Sequence, residues 1–236
     1  MKAWKLAAAV SSIMFASSAM AVTINTDSLQ NALNSIGATG VDVQNDQLAF
    51  DETWAVSATG GSVSTMVIEL ANLANENTFG VYDPTNPSAK VQLFSGGNVA
   101  GNQALFGIAA DGSIILNFAD TGIDFAGNLF GYYISNSQGT FYSQTGLNAD
   151  GVDHMVAYAG NGDTVTLPGW QAGTFGAGEY ILAWEDLLDG GDYDYEDLVV
   201  MVESVNPTQV SVPEPASFAL LGLGLAAIGL RRRNQA

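Results

Sequence analysis

The densest chemistry in this chain lies between Glu185 and Asp197. In that stretch, EDLLDGGDYDYED, seven of thirteen residues are carboxylates and none is a base. Two like charges about 4 Å apart repel by roughly 1 kcal/mol at the dielectric of water and roughly 4 kcal/mol at an effective dielectric of 20. Where the turn is not fully solvated, a proton or a hard cation must relieve that repulsion. Ca²⁺ takes about six to eight oxygen ligands from carboxylates, carbonyls and water, and Gly-rich acidic turns supply them. The spacing is not that of an EF-hand, because Asp192-x-Asp194-x-Glu196 lacks the following Gly and the late Glu. Asp189, Asp192, Asp194 and Asp197 are the leading candidate ligands, with Asp186 and Glu196 in reserve. The competing reading is that these carboxylates accept Asx-turn hydrogen bonds from backbone amides and otherwise face solvent.

Other chemistry is sparse. His154 is the single histidine, and beside Asp153 it could serve as an acid–base group, although a structural role is the commoner one. There is no Gly-x-Ser-x-Gly nucleophile elbow. Carboxylates about 5–10 Å apart can hydrolyse glycosides, but so acidic a chain produces such pairs by chance. Trp54, Trp170, Trp184, Tyr132, Tyr133 and Tyr142 could form a sugar-stacking platform, with packing the expected role for most of them. The chain has no cysteine, which excludes disulfides, thiolate metal sites and cysteine nucleophiles. No catalytic residue is assigned, and the chain is read as non-enzymatic without an organic cofactor.

Short β-prone runs separated by Gly, Asn and Asp clusters must position these residues. Strands are expected near Val63–Leu70, Thr78–Tyr82, Lys90–Phe94, Ala104–Ala109, Ser113–Phe118 and Leu129–Ile134. Others are expected near Thr140–Ser143, Asp153–Tyr158, Asp163–Leu167, Glu179–Trp184 and Leu198–Glu203. The continuous apolar run from Leu198 to Val202 predicts a strand covered on both faces. One helix is expected over Asp27–Ile36, with Asp27 as N-cap, Leu29, Ala32, Leu33 and Ile36 on its apolar face, and Gly37 closing it. The fold class is mainly all-β, a β-sandwich or jelly roll with one short N-terminal helix.

The two ends carry addresses. Lys2 and Lys5, the apolar stretch Leu6–Phe15 and the small-x-small site Ala19-Met20-Ala21 before Val22 make residues 1–21 a secretory signal peptide. At the other end stand Val212-Pro213-Glu214-Pro215, an uncharged run over 216–230, and Arg231-Arg232-Arg233. The fifteen residues of that run rise only about 22 Å as a single hydrophobic helix, short of the roughly 30 Å bilayer core, so it is a marginal transmembrane anchor. The arginines hold its end on the cytoplasmic side. Between the signals lie an exported domain over 22–203 and an expected linker over 204–211.

Of the six bases in the chain, five lie in the two end signals and only Lys90 remains between them. Of the 24 carboxylates only Glu214 lies there, so the exported segment carries twenty-three acids and a net charge of −22. Such a surface excludes nucleic acid as a partner, since phosphate binding needs Lys and Arg. It favours solubility and the attraction of cations.

The tail from Val212 to Arg233 resembles the PEP-CTERM sorting signal of Gram-negative bacteria. The resemblance implies recognition by an exosortase, transient anchoring in the inner membrane and a final place at the cell surface or outside the cell. It also implies an association with exopolysaccharide and with biofilm formation. A second resemblance covers about 131–203. Asn148-Ala-Asp150-Gly-Val-Asp153-His154, Glu185-Asp186-Leu187 and Gly190-Gly191-Asp192-Tyr-Asp194-Tyr-Glu196-Asp197-Leu198 are similar to domain of unknown function 4114. Glu196 stands where Asn is common in that domain. The resemblance implies a β-rich extracellular domain and brings no established ligand. The sequence reading is therefore an exported surface or matrix protein that binds Ca²⁺, with a secreted carbohydrate-binding module or a glycan hydrolase as the alternative.

Overall fold

The computed structural model describes residues 21–57, 61–69 and 75–208. The expected signal peptide with Ala19, the motif Val212–Pro215, the apolar run over 216–230 and Arg231–Arg233 lie outside the described residues. Among the described residues no helix is long and apolar enough to cross a membrane. Ala21 is exposed, and Val22 is the first residue tied into the domain. Its amide donates to Gln47 Oε1 at 2.8 Å, and its carbonyl accepts from both Gln44 and Gln47.

One helix, α1 (Thr26–Ile36), precedes a series of strands. These are β1 (Trp54–Val56), β2 (Ser62–Glu69), β3 (Thr78–Asp83), β4 (Asn86–Ser95), β5 (Gln103–Ile108), β6 (Ser113–Leu116), β7 (Ala119–Asp124) and β8 (Leu129–Asn136). They continue as β9 (Gly139–Tyr142), β10 (Met155–Ala159), β11 (Thr164–Val165), β12 (Gly173–Thr174), β13 (Glu179–Trp184), β14 (Leu198–Glu203) and β15 (Val205–Pro207). The first sheet runs β15-β1-β8-β3-β4, with β9 also on β8; the second runs β10-β13-β14-β2-β5-β6-β7. Strands β11 and β12 form a separate two-stranded hairpin.

The two sheets face one another across an aromatic core, the sandwich the strand spacing predicts. Phe79 of β3 meets Trp184 of β13 edge-on at 5.9 Å, and Phe130 of β8 meets Phe106 of β5 at 4.9 Å. Such edge-to-face pairs add to the free energy of burying the rings. Period-two alternation decides which side chains enter this core. On β14, Leu198, Val200 and Val202 point into it, while Val199 and Met201 join a second cluster beneath α1. Strands β13 and β10 alternate in the same way, with Leu182 and Trp184 inward and Ile181 and Ala183 toward the helix. The continuous apolar run is thus a strand sandwiched between a sheet and a helix.

Helix α1 packs Leu29, Ala32, Leu33 and Ile36 onto that outer face, as its spacing predicts. Gly37 closes it in the left-handed conformation at φ 98°, and the cap amides bond back to the last turn. Its start differs from expectation. Asn25 is the N-cap, without a side-chain cap bond, and Asp27 sits in the first turn. There its charge complements the positive end of the helix.

Three further departures have local causes. The expected strand Ser113–Phe118 stops at Leu116, because Asn117 and Phe118 both take positive φ (48° and 68°) to form a two-residue hairpin into β7. The expected strand Asp163–Leu167 shrinks to the two residues of β11, since its only partner is the short β12. The start of the expected linker is the strand β15, which pairs with β1 in the register Trp54↔Pro207 to Val56↔Val205. Three-residue strands are too short to show a period, which hides both β1 and β15 in the sequence. Val205 is fully buried in the core. Val205→Ala is therefore expected to lower the unfolding free energy by about 1–3 kcal/mol in a urea titration. A linker residue would leave the midpoint unchanged.

Candidate functional site

Strand β13 ends at Trp184, but its backbone ladder continues one step further: the Glu185 amide donates to the His154 carbonyl at 3.0 Å. That extra step carries a carboxylate into the interior. Glu185 is 0% exposed. Its Oε1 accepts the Tyr195 amide at 2.9 Å, whereas its Oε2 has no hydrogen-bond partner among the described residues. A buried polar atom without a partner costs about 1–3 kcal/mol, more when charged.

The chain then loops back to enter β14 at Leu198, and this loop is tightly wound. Asp189, Tyr193 and Tyr195 adopt left-handed φ values of 61°, 60° and 55°, and Gly190 and Gly191 are also positive. Non-glycine residues in this region cost about 1–2 kcal/mol each, and such strain gathers at functional sites. Gly191 is required for space as well as conformation, since a Cβ there would stand 2.5 Å from Glu185 Oε2. Helix α1 holds the loop from outside. The Asn25 amide donates to the Tyr193 carbonyl at 2.7 Å, and Ser28 Oγ donates to Glu196 Oε2.

This winding places one carboxylate oxygen from each of Glu185, Asp192 and Asp194 within 4.8 Å of one another. Ligands of one Ca²⁺ at about 2.4 Å can be at most about 4.8 Å apart, so one ion can reach all three. Asp192 is exposed and Asp194 nearly buried, so the trio runs from solvent to interior. A polar cavity of about 390 Å³ opens over it, lined by Gly191, Asp192, Asp194, Glu196 and Asp197 among others. Burial first, and then the charges of Asp197, Asp194 and Asp192, push Glu185 up to about 8. Burial also raises Asp194, with Asp192 and Glu196 adding to the effect.

The sequence-derived ligands divide into three groups. Asp192 and Asp194 join the trio. Asp197 and Glu196 line the cavity beside it. Asp197 also pairs with Asp186: the Asp186 amide donates to Asp197 Oδ2 at 3.0 Å, and burial together with Asp186 pushes Asp197 up to about 7. Asp186 and Asp189 are engaged elsewhere. Asp186 is buried and accepts from Asn77 Nδ2 at 2.8 Å, while Asp189 is exposed and its amide donates to Asp150 Oδ2 at 2.9 Å. Glu185 is absent from the sequence-derived set, although it opens the acidic run directly after a strand of alternating apolar residues. Extending that alternation one residue past Trp184 is the signal that would have found it.

His154 is fully buried against Phe141, with ring centroids 4.0 Å apart. Its two ring nitrogens contact the Glu185 carbonyl and Asp150 Oδ2 at 3.1 and 2.9 Å. It thereby links the start of the acidic loop to the Asp150 turn. Nearby, Asp51 and Asp153 form a second buried acidic pair. Burial and Asp153 hold Asp51 well above the usual range, and burial with the charge of Glu52 raises Asp153 to about 6.

Residues 124–205 match the family Domain of unknown function (DUF4114), enclosing the segment on which that resemblance was read. Residues 211–233 match the PEP-CTERM protein-sorting motif. No curated protein and no solved structure matches the chain. The sorting motif marks an exported chain with a C-terminal signal for exosortase processing.

Asp153 gives the domain a defined pH response. Its folded pKa lies above the unfolded value of about 3.9, so its contribution to stability is fully present below about pH 4 and lost as pH rises through about 6. Asp153→Asn should accordingly be more stable than the parent by about 1–3 kcal/mol at pH 7.5 and equal to it near pH 4, as read by chemical unfolding at both pH values.

Proposed function

We propose that this is a non-enzymatic bacterial cell-surface or extracellular-matrix protein, released or placed outside the cell by an exosortase and held in its folded form by Ca²⁺. The observation that carries the calcium reading is Glu185 Oε2. It is a buried carboxylate oxygen without a partner among the described residues, next to two further carboxylates, in an exported segment whose single base is Lys90. Lys90 lies over the rings of Tyr133 and Tyr142, at 5.1 and 5.9 Å from their centroids. A divalent cation from the extracellular medium supplies the positive charge that the chain does not. Glu185, Asp192 and Asp194 hold it, Asp197 and Glu196 stand by at the cavity wall, and water completes the shell.

The engagement of both His154 nitrogens supports the non-enzymatic reading, because the one histidine is committed to holding the loop. The sorting motif supports an extracellular destination, and its resemblance carries the association with exopolysaccharide and biofilm. Calcium in this role is structural. It fixes the acidic loop at the point where β13 hands the chain to β14, and so ties the outer helix to the centre of the second sheet.

Thermal unfolding of the exported protein tests the assignment. Ca²⁺ at about 100 times its dissociation constant should stabilise the domain by about 2.7 kcal/mol. For a domain of this size that raises the midpoint by roughly 5–10 °C, with chelator reversing the shift. Glu185→Gln should abolish the calcium shift, whereas Asp189→Asn should retain it. Identical melting curves with calcium and with chelator would overturn the calcium reading.

A further inference from the structure

A second cleft lies on the outer face of the second sheet, beside the β11–β12 hairpin. Its floor is formed by Met201, Val165 and Leu167, its rim carries Thr65, Gln103 and the carboxylates of Glu179 and Glu203, and Trp170 forms a wall. The cavity measures about 160 Å³ and is open to solvent, room for one sugar ring.

Trp170 is 48% exposed, yet its ring is fixed. Its Nε1 donates to the Gly101 carbonyl at 2.9 Å, and its backbone amide donates to the Leu167 carbonyl at 3.0 Å. Gly101 adopts φ +88° and packs so closely on this segment that a Cβ would stand 2.2 Å from the Pro168 carbonyl oxygen. Two loops distant in sequence thus clamp the indole by its edge and leave its face open. A half-exposed aromatic ring held in this way is a preformed stacking surface, which binds with little ordering cost.

The polar rim has a distinct character. Glu179 and Glu203 stand directly opposite each other across β13 and β14, an arrangement that destabilises a sheet. Burial, followed by the charge of Glu179, raises the pKa of Glu203. Gln103 Nε2 donates to Thr65 Oγ1 at 2.9 Å, which fixes the amide at the edge of the cleft. One ring face, two acceptor carboxylates and neighbouring amide and hydroxyl groups match a sugar, whose C–H face stacks while its hydroxyl or amino groups donate. The same carboxylates repel acidic sugars.

We infer that the Trp170 cleft binds a neutral or amino-bearing glycan, one sugar ring stacking on Trp170 while Glu179, Glu203 and Gln103 take its polar groups. This deepens the matrix reading, on which it rests for the source of the glycan, and it is independent of the calcium loop.

The test titrates the exported protein with a glucose oligosaccharide, a glucosamine oligosaccharide and, as the excluded class, a galacturonate oligosaccharide, following tryptophan fluorescence and calorimetric heat. Saturable binding of at least one of the first two, with none of the third, is expected. Trp170→Ala should weaken it by about tenfold or more, as for loss of an anchoring aromatic. Trp170→Phe, which keeps a ring but loses the bond to Gly101, should bind with intermediate strength. Glu203→Gln provides a second variant that leaves the clamp untouched and should also weaken binding of the glucosamine probe. All variants should retain the calcium-dependent melting shift, which separates failure of this site from failure of the calcium reading. Absence of saturable binding by both favoured probes, equal binding of the galacturonate probe, or binding unchanged in Trp170→Ala and Glu203→Gln would overturn the inference.

Discussion

Burial of β14 on both faces is the constraint from which the rest of the architecture follows. A strand with Leu198, Val200 and Val202 on one side and Val199 and Met201 on the other must lie in the middle of a sheet, with a second sheet against one face and a further layer against the other. Helix α1 supplies that layer. The strand is also the continuation of the most acidic loop in the chain, so the carboxylates must turn sharply at the boundary between interior and solvent. Strain at Asp189, Tyr193 and Tyr195 and the bare backbone of Gly191 are the local consequences. Glu185 is drawn inside because it is the next residue of the neighbouring strand.

Electrostatics then distinguishes this domain from an ordinary sandwich. Surface acids on a protein of mixed charge find lysine or arginine nearby. Here Lys90 is the one base between the end signals, and it sits over two tyrosine rings. Buried carboxylates must therefore be relieved by protons, backbone amides or cations from outside. Backbone amides serve at several places: the Asp186 amide donates to Asp197, and the Tyr195 amide donates to one oxygen of Glu185. A cation from outside is the third, and the proposed calcium would supply it beside Glu185.

Much of this was legible beforehand, and the reasons are physical. Each of the eleven expected strands has a counterpart in its stretch, Glu179–Trp184 and Leu198–Glu203 matching to the residue while Ser113–Phe118 and Asp163–Leu167 are cut short, because apolar runs bounded by Gly and Asp turns admit few alternatives. The strands that escaped notice, β1, β7, β12 and β15, are short pieces or polar hairpin returns, and pairing rather than composition defines them. In the acidic loop, residue type pointed to cation binding, and the fold brings Asp192 and Asp194 together beside Glu185. Asp186 and Asp189 were indistinguishable from them by type, yet the fold turns one toward Asn77 and leaves the other exposed. Trp170 was one aromatic among six, and its half-exposed ring and its bond to Gly101 separate it from Trp54 and Trp184, which are wholly buried.

By itself, then, the sequence determined the layered β architecture, the helix, the sorting motif at the C-terminal end and the excess of acid over base. These depend on periodicity, composition and short contiguous motifs, all of them local. Only the tertiary structure decided which carboxylates meet, that Glu185 is the buried one, and which aromatic face remains open. Those outcomes depend on strand register and on left-handed turns that bring together residues far apart along the chain. A side chain one residue further along a strand faces the opposite way, so the same acidic letters become a member of the carboxylate trio, a buried partner or a solvated charge according to where the sheet begins and ends.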